Sequence, residues 1–299
     1  MNESELKKLL THTDMLMNHV FWVKQEFGLN PNKEHHGTCI NYTDIKERKD
    51  DFLKELINTI ADWVYSKPKA RQIINSRMKE TGSQSNASTF LTQNAFRKFR
   101  RGHSQGQFGE LLLFNFIQHF FQAVPILRKM RITTSTGHER FGADAVHYSV
   151  ENNNNKIYLG ESKCYTSKYK FNEAFEDSLT SIVNTFKNFD KELDLYVIDD
   201  FIEEELRDVA LKYKKGKLEN TYFELVSLIV YHETEKINIT NEKDIKNNIV
   251  NTIQRRCENI KSSIYEKIEA GYLSRINYII FPVWEIDALV DDFSRTIGR

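Results

Sequence analysis

Asp144, Glu161 and Lys163 have the residue types and spacing for phosphate-ester hydrolysis. Asp144 opens the stretch Ala145-Val-His-Tyr-Ser-Val150, and Glu161-Ser162-Lys163 follows Lys156-Ile-Tyr-Leu-Gly160. Two carboxylates supply the hard oxygen ligands magnesium prefers, and the carbonyl of Ser162 offers a third. A cation held there activates water and stabilises the charge that grows on a scissile phosphate. Lys163 suits holding or deprotonating that water, or neutralising the phosphate. The competing reading is a solvated hairpin edge with ion pairs, which a chain that is 28% charged produces by chance.

The surrounding elements must bring these groups together. Glu151 to Asn155 is a polar run dominated by Asn, the residue that tolerates left-handed turn conformations. Its flanks are β-branched and aromatic, so the spacing predicts a hairpin with Asp144 at the start of one strand. On the second strand Ile157, Leu159, Glu161 and Lys163 share a face, aliphatic at one end and charged at the other. Upstream, Ser104 to Phe121 reads as a helix apolar nearly all round, hence buried. Glu110 in its first turns either assists the site or merely compensates the helix N-terminus. A first strand is expected near Ile126 to Thr134. A helix is expected from about Asn172, where Phe175, Leu179, Ile182, Val183 and Phe186 recur at helical spacing. Candidate phosphate contacts are Arg97, Lys98, Arg100 and Arg101 before the buried helix, and Lys168 and Lys170 after the motif. Arg128, Lys129 and Arg131 fall on the expected first strand.

This succession resembles the PD-(D/E)xK nuclease superfamily, over roughly residues 100 to 235. The resemblance implies an α-β-β-β-α-β restriction-endonuclease-like core of mixed α/β class, with a central mixed sheet flanked by helices. Ala143 stands where the pattern often has Pro. More narrowly, Gly142-Ala-Asp-Ala-Val-His147 with Leu159-Gly-Glu-Ser-Lys-Cys164 is similar to the HamA/AbpA family of prokaryotic anti-phage proteins, over most of the chain. That resemblance implies a magnesium-dependent DNA nuclease, with manganese as a substitute, controlled by a co-encoded helicase of the Hachiman system (a HamB-like protein). It carries Asp144, Glu161 and Ser162 as metal ligands, with Lys163 and Glu110 beside them. The alternative is a nuclease-like fold without cleavage, kept to bind nucleic acid or a partner protein.

Lys+Arg and Asp+Glu are 42 each, so the net charge is zero. Dedicated nucleic-acid binders carry a clear positive excess, which leaves this chain only local patches. A nuclease delivered by a partner fits that balance better than a free-standing one. Cys39, Cys164 and Cys257 are odd in number and widely spaced, the pattern of a reducing cytoplasm. Neither a secretory signal nor a bilayer-spanning run is expected. Residues 1–95 are expected to form a helical N-terminal region, with helices at 51–65 and 70–78 and a surface loop or hinge at 79–95. Residues 96–299 are expected to hold the core and a strand–helix extension, with buried strands at 225–231 and 278–284. The stripe Ile249, Ile253, Cys257, Ile260, Ile264, Ile268 predicts one long helix between those strands. Glu34-His35-His36 with Cys39 makes a poor zinc site, because no second ligand pair has the right spacing. Cys164 with His147 lacks an oxyanion arrangement and reads as core.

Overall fold

The computed structural model describes residues 3–128, 142–198, 204–237 and 240–299. Within them the chain runs α1 (Glu3–Lys7), α2 (Asp14–Met17), β1 (Val20–Glu26), β2 (Glu34–Ile40), β3 (Tyr42–Thr43) and β4 (Lys46–Glu47). Four helices follow: α3 (Lys49–Asn58), α4 (Ile60–Val64), α5 (Lys67–Thr81) and α6 (Gln84–Phe96). Then come α7 (Ser104–Phe121), β5 (Val124–Leu127), β6 (Ala145–Glu151), β7 (Asn154–Lys168), α8 (Phe171–Ile198) and α9 (Arg207–Lys214). The chain closes with β8 (Thr221–His232), α10 (Glu242–Glu258), α11 (Ala270–Leu273), β9 (Ile276–Val283) and α12 (Ile286–Thr296).

Seven strands form one mixed sheet in the order β1-β2-β9-β8-β7-β6-β5. β5, β6 and β7 make an antiparallel meander, while β7, β8 and β9 run parallel. Parallel strands need crossovers, which α8 with α9 and then α10 supply. The central strands are buried on both faces, as their continuous apolar runs require. On β8, Leu225, Ile229 and Tyr231 enter one core, and Val226, Leu228 and Val230 enter the other. The first core also takes Phe175, Leu179 and Ile182 of α8; the second takes Leu111, Leu112, Leu113 and Phe116 of α7. Each such side chain contributes about 1.5–3 kcal/mol on leaving water, so the two helices are bound firmly to opposite faces.

The β6–β7 hairpin turns at Asn152 and Asn153, with φ of 50° and 63°, between the paired Glu151 and Asn154. Two consecutive left-handed residues suit a tight hairpin, which explains the Asn run. Among other expectations, α3 to α5 and β8 and β9 appear where the sequence places them. The first strand is described only as Val124–Leu127; Lys129, Arg131 and the rest of that expectation lie outside the described residues.

Three expectations need correction. The N-terminal region is not helical throughout: β1 and β2 form a hairpin that joins the main sheet, β2 pairing parallel to β9. Of its buried histidines, His35 is hydrogen-bonded at both ring nitrogens, whereas the buried Nδ1 of His36 has no hydrogen-bond partner among the described residues. His35 Nδ1 accepts from the Tyr278 amide at 3.3 Å and Nε2 donates to Pro31 O at 3.1 Å, while His36 stacks on Phe120 with centroids 4.2 Å apart. Residues 79–95 are not a loop, because Ser83 caps α6 by accepting from the Asn86 amide at 3.2 Å. Finally, α10 stops at Glu258, and Ile264 falls in a separate 3-10 turn at Ser262–Ile264.

Candidate active site

Asp144 stands one residue before the first β6–β7 pair, Ala145 with Gly160, and its amide donates to Gly160 O at 2.9 Å. Its Oδ2 accepts from the Ser162 amide at 3.0 Å and from the Ser162 hydroxyl at 3.3 Å. The carboxylate is thereby fixed against the strand that carries Glu161. Alternation along β7 sends Ile157, Leu159 and Glu161 toward α8, and Tyr158 and Cys164 toward α7. Both carboxylates thus sit at one end of the hairpin, beside one another in the ladder. Lys163 follows Glu161 by two residues on the same face and is half-buried.

Glu161 is only 5% exposed, and a carboxylate in that position needs partners. α8 supplies them: Thr185 Oγ1 donates to Oε1 at 2.7 Å and Ser181 Oγ to Oε2 at 3.1 Å. One turn earlier, Ser178 and Ser227 of β8 share a hydroxyl bond at 2.7 Å. Sequence reasoning missed these hydroxyls. Their only signal was helical: small polar residues at 178, 181 and 185 within the apolar stripe that faces the sheet.

Close approach of α7 depends on glycine. A Cβ on Gly109 would lie 3.2 Å from Ser162 Oγ and 3.3 Å from Cys164 Cβ; one on Gly160 would lie 2.8 Å from Ile117 Cδ1. The first turns of α7 therefore lie directly on the motif, and Gln105 Nε2 donates to Cys164 O. Glu110 is half-buried rather than buried. It follows Gly109 on this helix.

The basic candidates divide in two. Phe99 is buried against Trp63 and Phe293, and the Arg100 amide donates to Gln107 Oε1 at 3.0 Å. That anchor leaves Arg97 and Arg101 exposed and Lys98 and Arg100 half-buried, just ahead of α7. Lys168 is exposed at the end of β7, whereas Lys170 is paired with Glu173 of α8. Arg128 is buried and donates to Asp62 O.

The competing thiol reading fails on electrostatics. Burial pushes the Cys164 thiol up to about 12 and lowers the His147 imidazole to about 3, so neither is set for nucleophilic chemistry at neutral pH. Among the described residues no three His, Cys, Asp or Glu side chains are grouped to hold a metal ion. None of the described helices is long and apolar enough to cross a membrane.

The fold defines a mixed α/β protein whose β6–β7 hairpin carries Asp144, Glu161 and Lys163. Within that class the chain belongs to the HamA family, whose sequence pattern matches residues 17–297. Membership gives it a role in anti-phage defence, as one component of a multi-component system. No curated protein matches the chain.

Proposed function

We infer that this chain is a magnesium-dependent deoxyribonuclease, the cutting component of its defence system. One observation carries the reading: Asp144 and Glu161 stand at the same end of the β6–β7 ladder, each oriented by neighbouring donors, with Lys163 beside them. The order α7-β5-β6-β7-α8-α9-β8, with an antiparallel meander followed by a parallel strand, supports kinship with the PD-(D/E)xK nucleases.

The donor set fits magnesium. That ion is commonly held by one or two carboxylates, with waters and substrate phosphate completing its six positions, so no third acidic side chain is required. Asp144, Glu161 and the carbonyl of Ser162 would hold it, with manganese as a substitute. When bound, the cation supplies Lewis-acid activation of water and stabilisation of phosphate charge. The chain's own residues do the rest. Ser162 fixes Asp144, while Ser181 and Thr185 fix both oxygens of Glu161. Lys163 orients the attacking water or neutralises the phosphate. Glu110 assists from α7. Arg97, Lys98, Arg100, Arg101 and Lys168 hold the DNA backbone, with Lys170 a weaker contact because Glu173 already pairs with it.

Zero net charge supports delivery to DNA by a partner, in keeping with a helicase as the second component acting in the cytoplasm. A second reading is a non-cleaving binding module. It draws on the two hydroxyl bonds that already occupy the Glu161 oxygens. Magnesium addition separates the two: a nuclease gains thermal stability from the ion and loses that gain in Glu161→Gln, whereas a silent module shows no gain.

A further inference from the structure

The neutrality of the chain conceals a strong segregation of charge. Between Lys67 and Arg101 the sequence holds nine basic residues and a single acidic one, Glu80. This stretch of 35 residues therefore carries a net charge of +8, and the remainder is negative by the same amount. It coincides with one structural unit, the antiparallel pair α5–α6 and the loop leading into α7. We propose that the α5–α6 hairpin is a DNA-binding arm, which grips the phosphate backbone and guides it along the Arg97–Arg101 loop to the acidic site.

The structure of α5 supports an arm. It contains no buried residue, although it is 15 residues long. Its half-buried positions Ala70, Ile73, Ile74 and Arg77 recur at i, i+3, i+4 and i+7, the stripe that lies on α6. α6 in turn buries Ala87, Leu91 and Ala95. The outer side of α5 thus faces solvent along its whole length, and Lys69, Arg71 and Lys79 are exposed on it.

Both ends of the arm are fixed. At its base Lys67 Nζ donates to Leu10 O at 2.7 Å and Lys8 O at 3.0 Å, so this lysine is an anchor rather than a contact. Arg77, paired within α5 to Glu80 at 2.9 Å, ties the two helices by bonding Asn86 of α6 at 3.0 Å with its guanidinium 4.8 Å from the Phe90 ring centre. At the far side α6 runs into the loop pinned by Phe99, and four residues after Arg101 the Gln105 side chain touches Cys164 O on the motif strand. Cations held along a path that ends at paired carboxylates suit a polyanion passing over the surface. DNA meets that description through its regularly spaced phosphates. Attraction by the arm also offsets the repulsion that the negative remainder of the chain exerts on DNA.

The proposal deepens the nuclease reading, so the test measures binding apart from cleavage. Fluorescence anisotropy of a labelled 20-base-pair duplex in EDTA compares Glu161→Gln protein with the same protein carrying Lys69→Gln, Arg71→Gln and Lys79→Gln. The triple change is expected to weaken binding at least ~10-fold near 0.1 M salt. It should also lower the salt slope by about 2.7, on the scale of roughly 0.9 per lost phosphate contact. Glu80→Gln, which removes the lone acid, is expected to tighten binding. Unchanged affinity and slope in the triple variant overturn the proposal. So does loss of binding to phosphatidylserine vesicles with DNA binding intact, which would assign the arm to a membrane surface. Magnesium-dependent hydrolysis of bis(p-nitrophenyl) phosphate by unaltered protein reports on the acidic site alone, so failure there leaves the arm to stand or fall on the anisotropy.

Discussion

Replacing Thr185 with valine removes one hydroxyl and keeps the shape of the side chain. The Thr185 hydroxyl donates to Glu161 Oε1 at 2.7 Å in a place where Glu161 is 5% exposed and water has little room to substitute. Bonds to charged acceptors contribute about 1.5–3 kcal/mol, so Thr185→Val should destabilise the fold by about 2 kcal/mol. For a chain of this size that lowers Tm by about 3 °C. Thr185→Ser keeps the hydroxyl and should cost less. In a Glu161→Gln background the bond is neutral and weaker, so Thr185→Val should cost about 1 kcal/mol there, leaving a coupling of similar size. Urea unfolding of the four proteins closes this cycle. If Glu161 is oriented for a cation, Thr185→Val also raises the magnesium concentration needed for half of the thermal stabilisation. Valine tolerated within about 0.5 kcal/mol, or serine as damaging as valine, refutes the clamp.

Other consequences follow from packing and charge. Gly160→Ala places a methyl 2.8 Å from Ile117 Cδ1 and 3.0 Å from Leu113 Cδ2. It should cost about 1–3 kcal/mol by lifting α7 off the motif strand, read as a lower urea midpoint. Arg256→Met removes both guanidinium bonds from the buried Glu233, whose Oε1 still accepts from the Thr234 and Glu235 amides, and should cost about 1.5–3 kcal/mol in the same assay. Burial lowers His35 and His36 from 6.5 to about 4 and His147 to about 3, so all three are neutral in the fold. The unfolded chain protonates them below pH 6.5. Stability is therefore full above that value and lost as pH falls toward the folded values, by about 1.4 kcal/mol per unit for each group. Urea midpoints at pH 7.5 and 5.5 measure the drop, and His147→Leu should make it shallower.

Legibility in the sequence tracked how local the signal was. The Asn turn, the apolar helix α7 and the strands β8 and β9 were readable because turn chemistry and burial on all sides leave direct marks in composition. The placement of Asp144 and Glu161 on neighbouring strands was readable for the same reason, since charge at the end of an aliphatic strand face is conspicuous. β2 was not, because its buried His35, His36 and Thr38 look like a polar loop. Their burial is intelligible only through Tyr278, Phe120 and Ile280, far away in sequence. α6 was hidden by its Ser, Asn, Gln and Thr content, although Ala87, Leu91 and Ala95 recur every four residues. Ile260 continued the α10 stripe without a helix beneath it: it packs against the core from the irregular stretch after Asn259. Ser181 and Thr185 were missed because a hydroxyl beside an apolar stripe carries no sign of the carboxylate it will meet.

The central claim is that Asp144, Glu161 and Lys163 make a magnesium-dependent nuclease. Its most direct test is DNA cleavage by purified protein over a magnesium titration, comparing unaltered chain with Glu161→Gln and Lys163→Ala, each alone and with its defence-system partner. The account predicts magnesium-dependent cutting by the unaltered chain, lost in both variants while their thermal unfolding stays cooperative. Cutting that survives in Glu161→Gln, or no cutting and no magnesium stabilisation in any mixture, contradicts it.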